Sequence, residues 1–161
     1  MPLYLPHQRM SKIQIIHLKK FIQESNEIEW EWDRQDSVEN LREFLSKPIT
    51  KESLFEYHKS LWPDFDWTGK YRETKVYIGE HIPPKPEHVA LHMESWFERL
   101  PLLGSWEAHN EFEKIHPFRD FNGRLGRAIW LHKALKKGYD FKLSFLHTYY
   151  YQTLHYMSKD A

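Results

Sequence analysis

His116-Pro117-Phe118-Arg119-Asp120-Phe121-Asn122-Gly123-Arg124-Leu125-Gly126-Arg127 is the stretch on which the reading of this chain turns. It brings together a potential base, a carboxylate, a glycine turn and two arginines. Pro117 ends any helix carrying Ile115, because proline disfavours helical geometry in the residue before it. Asn122-Gly123 then turns the chain, and Arg124 to Lys137 reads as a new helix. Arg124 and Arg127 are three residues apart and share one face near its amino end. Free N–H groups and the helix dipole make such an end an anion site. A histidine just before it can act as a general base, and Asp120 can hold a hard cation such as magnesium. Taken singly, each has an ordinary role: His116 in packing, Asp120 as a cap, the arginines in surface ion pairs. Together they point to base-assisted chemistry on a metal-bound phosphate ester.

At 161 residues the chain is long enough for one domain with a real core. Lys plus Arg and Asp plus Glu both number 23, so no overall field draws it to nucleic acid or membrane. The absence of cysteine excludes disulfides, thiolate metal sites and a catalytic thiol, and fits a cytoplasmic home. Met1 to Ser11 is polar, with no signal-peptide core, and no run approaches the roughly 20 apolar residues of a membrane span. His17, His58, His88, His92, His132 and His155 are scattered without ligand spacing, which argues against zinc.

Ile13, Ile16, Leu18, Phe21 and Ile22 predict a helix over Lys12 to Asn26. A second carries Val38, Leu41, Phe44 and Leu45, with Asp36 or Ser37 as its cap. A third carries Leu54, Tyr57, His58 and Leu61, although Thr50-x-x-Ser53 lacks the full capping box. Gly69 and Gly79 bracket Tyr71 to Ile78, which reads as a short β-hairpin or flap turning near Glu73-Thr74. Val89, Met93, Trp96, Phe97 and Leu100 mark the next helix, and Trp106 to Ile115 leads into the opening stretch. Gly138 reads as a C-cap, and Leu143 to Met157 as a last helix with Tyr149-Tyr150-Tyr151. The class is mainly α: a bundle of six to eight helices with one flap.

The opening stretch resembles the Fic signature, H-P-F-x-[D/E]-G-N-G-R-x-x-R, at eight of nine specified positions, Phe121 standing where Gly is usual. Gly69-Lys70-Tyr71-Arg72 through Ile82-Pro83-Pro84 is similar to the family's flap. Ser25-x-x-x-Glu29 is similar to its inhibitory motif, placed before the core as in class II members. Tyr150 and Tyr151 resemble a tyrosine pair of its last helix. The resemblance implies one Fic domain over 1–161, with an inhibitory-type helix about 12–29, a flap about 68–82 and an active-site loop and helix at 116–137. It implies transfer of AMP from ATP to a Ser, Thr or Tyr hydroxyl of a protein. His116 would take the hydroxyl proton and Asp120 would hold Mg²⁺. Phe121, Asn122, Gly123, Leu125 and Gly126 would line the phosphate loop, and Arg124 and Arg127 would neutralise its charge. Val76, Tyr77, Ile78 and Gly79 would cover the nucleotide, and the protein substrate would dock on the flap edge. Tyr150 and Tyr151 would wall the adenine.

In similar class II members the glutamate, here Glu29 with Ser25 beside it, pairs with the last motif arginine, here Arg127, and blocks ATP. In some relatives it directs removal of AMP instead. Trp30 replaces the Gly or Asn that usually follows it. If the position of Phe121 requires positive φ, the backbone there is strained by on the order of 1–2 kcal/mol. That raises a third reading, a catalytically silent nucleotide- or partner-binding module. Gly123 is kept, unlike in the Doc branch, which favours AMP transfer over phosphate transfer. The target and the oligomeric state stay open, and a homo-oligomer is compatible with the chain.

Overall fold

The computed structural model describes residues 12–138. The expected last helix, with Tyr150 and Tyr151, lies outside the described residues. The elements are α1 (Lys12–Ile28), α2 (Val38–Ser46), α3 (Lys51–Leu61), α4 (Pro86–Arg99), a 3₁₀ turn (Leu100–Leu102), α5 (Ser105–Ile115) and α6 (Asn122–Lys136). The class is mainly α, as the spacing predicts.

Local signals explain most boundaries. Ser37 caps α2, its hydroxyl accepting from Asn40 N–H at 3.3 Å. Before α3 the capping box is complete after all. Thr50 Oγ1 accepts from Ser53 N–H at 3.1 Å, and Ser53 Oγ accepts from Thr50 N–H at 2.8 Å. A serine hydroxyl here takes the part usually played by Glu or Gln. Pro86 opens α4, where its missing N–H costs nothing. Gly138, at φ +81°, closes α6 by donating to Leu135 O.

Helix α6 is the axis of the bundle and packs against α1, α2, α3 and α5. Leu125, Ala128, Ile129 and Leu131 are fully buried on it. A helix covered on all sides shows no amphipathic stripe, which is why its sequence lacks the clear periodicity of α2. Trp96 ties α4 to α5, burying its ring and donating Nε1–H to Ala108 O at 3.1 Å. A ring so buried contributes on the order of 2–3 kcal/mol.

The flap differs from the expected hairpin. Residues 68–82 hold one antiparallel bridge, Ile78 to His81, with the turn at Gly79-Glu80 and not at Glu73-Thr74. The backbone has better partners elsewhere. Arg72 N–H donates to Pro117 O at 2.9 Å. Its buried guanidinium donates to the carbonyls of His116 (2.7 Å), Ile115 (3.3 Å), Thr74 (3.0 Å) and Pro84 (2.6 Å). His81 Nε2 lies 2.9 Å from Lys114 O. The flap thus satisfies the carbonyls that the end of α5 leaves without helical partners, and that contact replaces strand pairing.

Candidate active site

The loop 116–121 is built on two left-handed residues. His116 (φ 51°, ψ 61°) ends α5, its N–H donating to Phe112 O at 2.9 Å. Pro117 disfavours the right-handed helical region at His116, and the chain leaves α5 through the left-handed one. Phe121 (φ 67°, ψ 12°) caps the start of α6. Between them, Phe118 is buried and stapled to Asn122: Phe118 N–H donates to Asn122 Oδ1 (2.9 Å) and Asn122 Nδ2 donates to Phe118 O (2.8 Å). The side chain of Asn122 is therefore committed to the loop, and only its backbone N–H is left for a ligand.

His116 has a side chain 23% exposed. Burial lowers its pKa below the usual 6.5, with the Arg72 charge acting the same way; the Glu113 carbonyl, Asp120 and Glu29 act in opposition. The imidazole is neutral at pH 7, the state a general base requires. Its Nδ1 faces Glu113 Oε2 at 3.9 Å.

Asp120 is exposed, and one carboxylate oxygen accepts from Phe121 N–H at 2.7 Å. Its carbonyl is held at 3.0 Å by Nε2 of His58, whose Nδ1 accepts from Gly69 N–H at 2.8 Å. The Gly69 bond fixes the tautomer, so Nε2 carries the proton and donates. His58 is fully buried, stacked on Phe118, and burial lowers its pKa to about 4. Among the described residues no group of three or more acidic, His or Cys side chains converges as a metal cage. One anchored, exposed carboxylate still fits magnesium, which keeps several waters and shares itself with substrate phosphates.

Phe121 is buried at a conformation costing on the order of 1–2 kcal/mol for a side chain. Its surroundings offset that. Trp62 and Trp67 stack on the ring at 6.2 and 5.8 Å, and the guanidiniums of Arg34 and Arg124 lie 5.0 and 4.9 Å from its centroid. Arg34 is itself pinned by Asp36 (2.9 Å) and by Leu61 O.

Leu125 N–H makes the first α6 bond, to Phe121 O at 3.1 Å. The N–H groups of Asn122, Gly123 and Arg124 precede it and have no partner within the helix. Over this end sits Glu29. A Cβ added to Gly123 would run into Glu29 Oε1, so glycine is what lets a carboxylate rest there. Arg127 is fully buried, donating Nε–H to Ser25 Oγ (2.7 Å) and Nη2–H to Ser25 O (3.0 Å) and Glu29 Oε1 (2.6 Å). Trp30, at φ 60°, is the left-handed residue that turns the chain out of α1; that geometry accounts for Gly or Asn in the similar motif.

Other expected residues go elsewhere. The Leu125 side chain is in the core, and Gly126 serves helix packing, since a Cβ there would meet Glu113 Oε1 on α5. Val76 and Ile78 are half-buried, while Tyr77 and Gly79 are exposed. Glu113 is well shielded, and burial raises its carboxyl to about 7, Arg127 opposing and Glu29 reinforcing the shift. Sequence reasoning missed Arg72, His58, Glu113, Asn26 and Glu31. Arg72, His58 and Asn26 are buried polar side chains, a signal that is invisible before the fold.

A model of the Fic/DOC family matches residues 48–132, just over half of the sequence. The chain belongs to the Fic/DOC family. It is 31% identical over 102 residues to "Protein adenylyltransferase Fic" of Aedes aegypti, a match covering 56% of this chain and 20% of that protein. The mosquito Culex quinquefasciatus has a protein of the same name, 34% identical with the same coverage. A solved Fic family protein from Desulfovibrio desulfuricans G20 superposes with TM-score 0.62 at 25% identity, covering 78% of this chain and 50% of that one. The chain thus spans about a fifth of these curated relatives and half of the solved one. In this Fic/DOC chain the family match begins after Glu29, so α1 and its turn stand outside it. No described helix is long and apolar enough to cross a membrane.

Proposed function

We propose that this Fic/DOC chain is a protein adenylyltransferase, moving AMP from ATP to a hydroxyl of a protein, and that Glu29 holds it inactive. The observation that carries the reading is the joint placement of a neutral, partly exposed His116, an anchored Asp120 and the amino end of α6 around one loop. His116 takes the proton of the attacking Ser, Thr or Tyr hydroxyl. Its oxygen forms a bond to the α-phosphorus as the bond to the bridging β-oxygen breaks, and pyrophosphate leaves. The N–H groups of 122–124 and the guanidiniums of Arg124 and Arg127 take the phosphate charge. Asp120 would hold Mg²⁺, which supplies charge neutralisation on the phosphates. Val76 to Gly79 would cover the nucleotide, with the protein substrate along the flap. We read 12–29, the flap and 116–137 as parts of one unit.

Glu29 rests on the anion end of α6 and on Arg127 at once, so ATP must displace it. A second reading, removal of AMP from a modified protein, is favoured by its carboxylate being 37% exposed and able to hold a water. Incubation of the Glu29→Gly variant with a cell lysate, Mg²⁺ and ATP labelled at the α- or the γ-phosphate tests the first. Adenylyl transfer labels protein from the α-label only. Label from the γ-phosphate above that of the lysate alone means phosphate transfer. Release of AMP from previously labelled protein by wild type but not by Glu29→Gly means the reverse reaction.

A further inference from the structure

The end of α1 grips more than Arg127. Arg124, 5% exposed, donates Nε–H to Asn26 Oδ1 at 2.8 Å, and its Nη2 lies 2.7 Å from Glu31 Oε1. Glu31 is brought there by the same turn that places Glu29. The N–H groups of both glutamates donate to Asn26 O at 3.0 Å, with Trp30 left-handed between them. Asn26 is held in turn, its Nδ2 donating to Asp36 Oδ2 (3.0 Å) and Arg34 O (3.2 Å). The Phe121 ring lies under the Arg124 guanidinium at 4.9 Å and under that of Arg34 at 5.0 Å.

We infer that Glu31, oriented by Asn26 and backed by Phe121, is a second inhibitory carboxylate that withholds Arg124 from the nucleotide as Glu29 withholds Arg127. This rests on the proposed nucleotide reading of the same site and adds a regulatory residue to it. The physical ground is competition for one guanidinium. With Nε–H donating to an amide oxygen and a carboxylate 2.7 Å from Nη2, one of its five donors and its charge are engaged. A phosphate reaching Arg124 must break that pair and also meet the repulsion of a carboxylate beside it. Because the two glutamates leave from one turn, a partner or ligand that opens the turn frees both arginines together. Phe121 then has a purpose at a position where Gly is usual: its ring keeps Arg124 beside Glu31.

The test is ATP binding by calorimetry without Mg²⁺, comparing wild type, Glu29→Gly and Glu29→Gly with Glu31→Gln. Arg127 is already freed in the second protein, so any further gain belongs to Arg124. A charged contact of this kind corresponds to about tenfold in affinity. The expected result is therefore a further gain of about tenfold in the double variant, with the thermal melt confirming that it is folded. Equal affinity of Glu29→Gly and the double variant overturns the second clamp and leaves the nucleotide reading standing. Failure of all three to bind ATP overturns both. A gain in the double variant that is lost again with Arg124→Ala supports the inference, because the effect then runs through that guanidinium.

Discussion

Arg127 donates to Glu29 Oε1 at 2.6 Å from a guanidinium with no solvent exposure, while Gly123 leaves room for that carboxylate over the start of α6. One side chain thus covers both an arginine and a helix end that could receive phosphate. Breaking this pair from its half-exposed side takes the paired anion from a buried guanidinium that keeps its bonds to Ser25. Removing Glu29 is therefore expected to make Arg127 seek another anion, which ATP supplies.

Gly123→Ala is predicted to destabilise the protein by about 1–3 kcal/mol, since its Cβ meets Glu29 Oε1. In a Glu29→Gly background the same substitution is expected to cost less than half as much. Denaturant melts of the four proteins read the coupling. Equal costs in the two backgrounds would mean that Glu29 does not press on Gly123.

Phe121→Gly sets two effects against each other. It relieves a left-handed backbone, on the order of 1–2 kcal/mol, and removes a buried ring stacked on two tryptophans, on the order of 3–5 kcal/mol. The packing term is larger, so we expect a net loss of about 2–3 kcal/mol in urea unfolding. A stabilised Phe121→Gly variant would show that the stack contributes little.

His116→Ala is expected to reduce turnover by about 10²–10⁴-fold and to leave ATP affinity within a few-fold. Because burial holds the imidazole below the usual 6.5, the acid limb of the rate profile should have its midpoint below pH 6.5. The base is then already competent at neutral pH. A limb centred above pH 7 would contradict this environment for His116.

His58 and His109 have folded values of about 4 against 6.5 unfolded, so their contribution is complete above pH 6.5 and is lost as pH falls toward 4. Glu113 runs the other way, at about 7 against 4.5, and its contribution is lost as pH rises through 7. Each shift corresponds to on the order of 3 kcal/mol at full extent. Between pH 6.5 and 4.5 two histidines outweigh one carboxyl, so Tm should fall on acidification. Glu113→Gln should steepen that fall and raise Tm most at pH 8. A Tm that is flat or rises on acidification contradicts these environments.

The helices were legible because spacing and caps are local: Ser37, Thr50, Pro86 and Gly138 sit where their chemistry predicts. The loop 116–127 was legible because its residue types are rarely needed together. The hairpin was not, since the alternation at Tyr71, Val76 and Ile78 carries no information about which carbonyls Arg72 reaches. Asn26 and Glu31 were hidden for a related reason. Their role depends on the left-handed turn at Trp30 and on a helix nearly 100 residues away in sequence.

The most direct measurement of the central claim is protein labelling from α-labelled ATP by wild type, Glu29→Gly and Glu29→Gly with His116→Ala. Release of a charged contact of this strength predicts at least about tenfold more label with Glu29→Gly than with wild type. The added His116→Ala should return it to background. Label unchanged by Glu29→Gly, or label that persists without His116, would contradict the account.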